Sequence, residues 1–323
     1  MTPDARSGIA PPGYRLPVAT RLGRVRLQVG DLERSEAFYS RVLGLEAVDR
    51  SVGGAVLRAP GGTEALVELV ARPGARPLSP RGRPGLYHYA LLLPDRAELG
   101  RFAAHLAEIG HRFGSADHRV SEALYLTDPD GLGIEVYADR PRARWSRSEG
   151  GHLVMTTEPL DLADLTAAAG GRSFRGLSPD TVVGHIHLHV ADLGEAAHFY
   201  HEALGFDKTV WNYPGALFLS AGGYHHHVGT NTWAAAASPA GPDDARLLSW
   251  TLIVPTSAEL EEATASLTSA GFRVEDVGGR RLTMDPSGTA VELVAAGEGE
   301  RRSAAPHPRS ARPCPSTERT RHP

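Results

Sequence analysis

Leu99, Phe102, Ala103, Leu106 and Ile109 recur at helical spacing, so residues 96–109 read as an amphipathic helix. An apolar strand-like run, Tyr87 to Leu93, precedes it. A hairpin follows: Ala123-Leu124-Tyr125-Leu126, the turn Asp128-Pro129-Asp130-Gly131, then Gly133-Ile134-Glu135-Val136-Tyr137. The same order occurs four times. Gly23-Arg24-Val25-Arg26-Leu27-Gln28-Val29-Gly30-Asp31-Leu32 matches Gly184-His185-Ile186-His187-Leu188-His189-Val190-Ala191-Asp192-Leu193, and each leads into a helix that closes at a Leu-Gly turn, Leu43-Gly44 or Leu204-Gly205. Repeats of about 50 residues indicate modular architecture.

Module one covers about 22–72, with a strand at 24–29, a helix at 33–43 and hairpin strands near 55–59 and 64–70. Module two covers about 86–139. Module three (about 184–234) repeats module one. Module four (about 247–296) repeats module two, with a helix at 257–270 and the turn Asp285-Pro286-Ser287-Gly288. Four βαβββ modules predict an α+β fold: paired, cup-shaped mixed sheets with external helices. The expected division is a disordered lead (1–20), an N-terminal two-module domain (21–140), and a linker (141–183) with a short helix near Leu160–Ala169. A C-terminal two-module domain (184–297) and a disordered Arg/Ser/Pro-rich tail (298–323) follow.

Composition narrows the function. With 323 residues, 41% hydrophobic and 22% charged, the chain fits a soluble globular protein of about two domains. A net charge of −4 without a basic stripe argues against a nucleic-acid partner. No apolar run approaches the ~20 residues of a membrane helix, and Pro11, Pro12, Gly13 and Arg15 interrupt any secretory leader. The one cysteine, Cys314, excludes an intrachain disulfide, in keeping with the cytoplasm.

The modules resemble those of the vicinal oxygen chelate superfamily, which includes glyoxalase I and the extradiol dioxygenases. That resemblance implies metal ligands on the first and last strand of a module. The first-strand position lies seven residues before the Asp that ends the strand: Arg24, His88 and His185, with Ser249 in module four by alignment of Pro255 on Pro94. The last-strand position is Glu68, Glu135, Gly229 and Glu292. Pairing modules one and two gives Arg24, Glu68, His88 and Glu135. Pairing three and four gives too few ligands. Pairing two and three gives His88, Glu135 and His185, with Gly229 leaving space, which matches the two-His-one-carboxylate set of non-haem Fe(II) oxygenases. The expected site therefore joins the two halves of the chain, or two chains, and modules one and four close without metal.

From about 21 to 296 the ordered motifs resemble bacterial four-module catechol 2,3-dioxygenases. They are His185 to Val190, Gly222 to His227, His118 through Tyr125 to Leu126, and Tyr137-Ala138-Asp139-Arg140-Pro141-Arg142 with Trp145. The resemblance implies Fe(II), with Mn(II) suiting the same ligands, a catechol and O2 as substrates, and a role in aromatic degradation. It makes His227 the acid–base residue; on an extended strand His225, His227, Gly229 and Asn231 share one face, so His227 is expected to face the metal and His226 to face away. Tyr125 and His118 would contact substrate oxygens. His187 and His189 read as structural or surface residues. Association into a homo-oligomer by sheet edges is compatible with such modules. Two competing classes are a glyoxalase-type Zn(II) or Ni(II) isomerase, which lacks a second carboxylate because Gly229 stands there, and a metal-free binding module of the same fold.

Overall fold

Each strand-to-helix junction is built alike. Asp31, Asp95 and Asp192 leave their strands extended, and each carboxylate accepts the N–H three residues on, from Arg34, Glu98 and Glu195. Thr256 does the same with its hydroxyl for Glu259. A cap of this kind contributes ~1 kcal/mol and fixes where the first strand of each module stops. Ser249 lies seven residues before Thr256, as His88 does before Asp95, so the alignment of module four holds in the caps.

In this computed structural model, which describes residues 8–79 and 81–297, module one comprises β1 (Arg21–Val29), α1 (Leu32–Arg41), β2 (Glu46–Ser51), β3 (Gly54–Arg58) and β4 (Ala65–Ala71). Module two comprises β5 (Gly85–Leu93), α2 (Arg96–Glu108), β6 (Gly114–Asp117), β7 (Ser121–Thr127) and β8 (Gly133–Asp139). The connecting segment carries α3 (Leu162–Ala167). Module three comprises β9 (Val182–His189), α4 (Leu193–Ala197, prolonged by a π turn over His198–Ala203), β10 (Asp207–Val210), β11 (Ala216–Ser220) and β12 (Val228–Asn231). Module four comprises β13 (Arg246–Val254), α5 (Ser257–Ser269), β14 (Glu275–Val277), β15 (Arg280–Met284) and β16 (Ala290–Ala295).

Two eight-stranded mixed sheets result, in the orders β14-β15-β16-β13-β1-β4-β3-β2 and β10-β11-β12-β9-β5-β8-β7-β6. Within every module the first and last strands are parallel neighbours, which requires the helical crossover between them. Between modules the first strands pair antiparallel, β1 with β13 and β5 with β9. Each sheet thus takes one module from each half of the chain: one with four, and two with three. Period-two alternation sends Leu27, Tyr89, Ile186, Leu188, Trp250 and Leu252 to one continuous apolar core, shared by both sheets and their helices. The opposite faces of the curled sheets carry the polar residues considered below.

The expectation of a disordered lead over 1–20 needs correction from residue 8 onward. Ile9 exchanges two backbone hydrogen bonds with Lys208, both 2.9 Å. Leu16 joins the core, and the Arg15 guanidinium grips the buried Asp207 carboxylate through two contacts of 2.8 and 2.7 Å. One apolar anchor and one buried counter-ion fix a segment whose Pro/Gly-rich composition shows no periodicity. Residues 1–7 and the tail expected over 298–323 lie outside the described residues.

Candidate metal centre and its cavity

His185 on β9, His88 on β5 and Glu135 on β8 stand on three adjacent strands of the second sheet. Ala90 on the middle strand is the register partner of both His185 and Glu135. Its small side chain lets the two longer ones meet across β5. His88 Nε2 lies 3.0 Å and His185 Nε2 3.2 Å from the same oxygen, Glu135 Oε2. The three donor atoms fall within 4.8 Å of one another, the one such group of His, Cys, Asp or Glu among the described residues. All three side chains are buried.

The electrostatics suit a cation. Burial alone would raise the Glu135 carboxyl, yet the imidazoles of His185 and His88 hold it well below the usual carboxylate range. Burial pulls His185 down to about 4, partly opposed by Glu135. An ionised carboxylate and a neutral imidazole are the protonation states a metal requires of its ligands. Two histidines and one carboxylate converging on a point, without a fourth protein donor, therefore fit a divalent metal with open coordination positions.

The corresponding positions of the first sheet do not. There Glu68 is ion-paired with Arg24 at 3.2 Å and Arg26 at 2.8 Å. Glu292 is held by Arg280 at 3.1 Å and by the Ser249 hydroxyl at 2.7 Å. Guanidinium groups supply the positive charge, and the larger cavity on this face, about 500 Å³, contains no converging donor set among the described residues.

A cavity of about 320 Å³ opens on the candidate metal centre. His88, Glu135, Tyr125, His118, His187 and His226 line it, with apolar wall from Phe218, Met155 and Trp233, and among the described residues no Lys or Arg lines it. Tyr125 is the cross-strand partner of Glu135. His118 Nδ1 is 2.6 Å from the Thr156 carbonyl, so that nitrogen donates; Nε2 is left to accept from the Tyr125 hydroxyl, also at 2.6 Å. Burial, reinforced by Glu135, pushes the Tyr125 phenol well above its ordinary value and keeps it protonated. The sequence-derived pair Tyr125 and His118 is brought together here.

The expected orientation of the His tract is reversed. His226 lines the cavity, its ring 4.1 Å from that of His185 and 5.0 Å from that of Phe218, centroid to centroid. His227 turns away: its Nδ1 accepts the Ala221 N–H at 3.1 Å, and its ring packs on Tyr224 and Phe206. The cause is local. Strand β12 begins only at Val228, and His225 to His227 form an irregular, bent approach to it. Period-two alternation counted back from Gly229 therefore does not extend to these residues.

Two further contributors escaped the sequence reading. His187, taken as structural, lines the cavity; its ring lies where a Cβ at Gly229 would come within 3.0 Å, and its Nε2 is 3.0 Å from Asn231 Nδ2. The alternation of His185, His187 and His189 along β9 carried that signal. Met155, Thr156 and Thr157 of the connecting segment close one wall, and nothing periodic marks them.

The family model described as Glyoxalase/Bleomycin resistance protein/Dioxygenase superfamily matches residues 21–136 and 182–293. A Bacillus subtilis (strain 168) protein named catechol-2,3-dioxygenase is 46% identical over 279 residues, covering 85% of this chain and 97% of that one. Among solved structures, a protein of Bacillus subtilis subsp. subtilis str. 168 matches with a TM-score of 0.60 at 14% identity, over 89% of this chain and 88% of that one. Glyoxalase I from Zea mays matches at 0.51 and 18% identity, over 86% and 92%. At those identities the two structures speak for the fold.

Proposed function

Because the chain belongs to the glyoxalase/bleomycin resistance protein/dioxygenase superfamily, we propose that it is an extradiol dioxygenase. It would open a catechol ring beside its two hydroxyls and place both atoms of O2 in a muconic semialdehyde. One observation carries the reading: His185 converges with His88 and Glu135, and those two line a cavity together with His118, Tyr125 and His226. The relative named catechol-2,3-dioxygenase supports it.

A bound Fe(II), held by His88, Glu135 and His185, would supply the redox chemistry and open positions for two vicinal oxygens and O2. Mn(II) suits the same donors. The remaining steps belong to the side chains. His226, which burial and the neighbouring His185 keep well below the ordinary histidine range, is neutral and can accept a phenolic proton and return it. The Tyr125 hydroxyl, kept protonated and aimed by His118, can turn from that imidazole to a substrate oxygen. Phe218, Met155 and Trp233 exclude water and give the ring an apolar surface. Gly229 stands where a glyoxalase-type isomerase would need its second carboxylate, and the ring of His187 occupies the space beside it.

The test is metal analysis of anaerobically purified protein, followed by exposure of the iron-loaded form to catechols in air. A yellow product with one O2 consumed per catechol is expected. Iron-loaded protein that leaves a broad panel of catechols intact would reject the reaction and favour an isomerase or a binding role.

A further inference from the structure

Behind the cavity a row of hydrogen-bonded groups runs from His226 to the surface. His226 Nδ1 lies 2.8 Å from His225 Nδ1. His225 Nε2 lies 3.0 Å from Asp139 Oδ1. The same oxygen accepts from the Tyr224 hydroxyl at 3.2 Å. His225 is wholly buried, whereas the Asp139 side chain is 28% exposed. One end of the row therefore reaches the cavity and the other reaches solvent.

The chemistry of the groups sets the direction of each bond. A carboxylate accepts and does not donate, so His225 Nε2 carries a hydrogen. In the neutral form of His225 that is its one N–H and a lone pair is left on Nδ1, whereas in the charged form Nδ1 would donate to His226. Two facing Nδ1 atoms cannot both accept, so opposite a neutral His225 it is His226 Nδ1 that donates. The lone pair of His226 is then on Nε2, at the opposite edge of a ring that lines the cavity. The bond made by one ring nitrogen decides which form the other takes.

We propose that Asp139 and His225 are positioning residues: they hold His226 in its Nδ1–H tautomer and so keep Nε2 bare for a substrate proton. The proposal rests on the reading of His226 as the acid–base residue. In the step concerned, a phenolic O–H bond breaks and a His226 Nε2–H bond forms. The positive charge on the ring is then stabilised through Nδ1–H and His225 by the Asp139 carboxylate. A free histidine side chain prefers the Nε2–H form, so the tautomer is diagnostic.

The experiment has two readouts. Metal-free protein carrying 15N-labelled histidine reports ring tautomers by two-bond nitrogen–proton correlation, with the His226 signal assigned by its loss in His226→Gln. Iron-loaded protein gives kcat, KM and iron content with catechol. In the wild type His226 should be the Nδ1–H form. Asp139→Leu and His225→Phe should both move it to Nε2–H and lower kcat by about 10²-fold, at the low end of what a positioned acid–base contributes. KM and iron content should stay near wild type. Asp139→Asn, whose amide oxygen can still accept from His225 but which carries no charge, should retain the wild-type tautomer with a kcat between those of the wild type and Asp139→Leu. An Nε2–H form in the wild type, or an unchanged tautomer in both disruptive variants, overturns the proposal. So does a fall in kcat matched by loss of iron or fold, because the role would then be structural. If the tautomer shifts as stated while the wild type leaves every catechol intact, the positioning role stands and the ring-opening reading fails.

Discussion

Replacing His226 and His227 one at a time separates chemistry from stability. His226→Ala removes an imidazole that sits between His185 and Phe218 on the cavity wall. The three metal donors stay in place on their strands, so iron content should hold. If His226 is the acid–base residue, its loss should lower kcat roughly 10²–10⁴-fold. His227→Ala acts elsewhere. It strips the acceptor from the buried Ala221 N–H, and an unsatisfied buried donor costs ~1–3 kcal/mol. The ring lost from between Tyr224 and Phe206 adds to that cost. The variant should therefore unfold at lower urea, yet turn over near wild type per bound iron. The assay is O2 uptake with catechol, normalised to iron, alongside equilibrium unfolding. A folded His227→Ala protein that is inactive, beside a fully active His226→Ala protein, would refute the arrangement and restore strand alternation through the His tract.

Other outcomes follow from the same geometry. His185→Ala should abolish metal binding, whereas Glu68→Gln and Glu292→Gln on the arginine-paired sheet should leave metal content unchanged, as elemental analysis would show. Tyr125→Phe removes one hydrogen bond to a charged substrate oxygen, typically ~1.5–3 kcal/mol, so kcat/KM should fall about 10- to 10²-fold with iron retained. Gly229→Ala brings a methyl within 3.0 Å of the His187 ring, at a packing cost of ~1–3 kcal/mol, and should lower the melting temperature and raise KM. A carboxylated catechol would enter a cavity with no Lys or Arg on its wall; an unpaired buried charge costs several kcal/mol, so its kcat/KM should be at least about 10²-fold below that of catechol.

The helices and core strands were legible because burial writes a period into them. Leu99, Phe102, Ala103 and Leu106 are all buried on α2, which spans Arg96–Glu108 against the 96–109 read from spacing. β2 was not separately legible, since most of Glu46–Ser51 is exposed and its apolar residues do not alternate toward a core. His88 and His185 could be picked out by counting from Asp95 and Asp192, because those residues cap helices at a fixed distance from the strand position, and Glu135 by its place on the last strand of its module. His226 could not be, because bends precede β12 and break the count. Thr156, which orients His118, lies in a connecting segment whose position depends on the finished fold.

The pairing of modules two and three, and not one and two, is what brings the three candidate donors together. The two histidines occupy equivalent positions on β5 and β9, strands separated in sequence by the whole connecting segment yet antiparallel neighbours in the sheet. Glu135 adds the third donor from β8 on the far side of β5. Three candidate donors on three hydrogen-bonded strands have little freedom to separate, which is the rigidity a metal centre needs from its scaffold. The same geometry is present in the other sheet, with Arg24, Glu68, Ser249 and Glu292. There a guanidinium pairs with each carboxylate, so the fold is satisfied without a metal. The difference lies in the residue at each of four positions and not in the backbone. Placing His at both 24 and 249 would test that: with Glu292 kept and Arg280 replaced by Ala, the first sheet should gain a second bound divalent ion. Failure of the folded variant to bind one would show that backbone equivalence alone does not make the site.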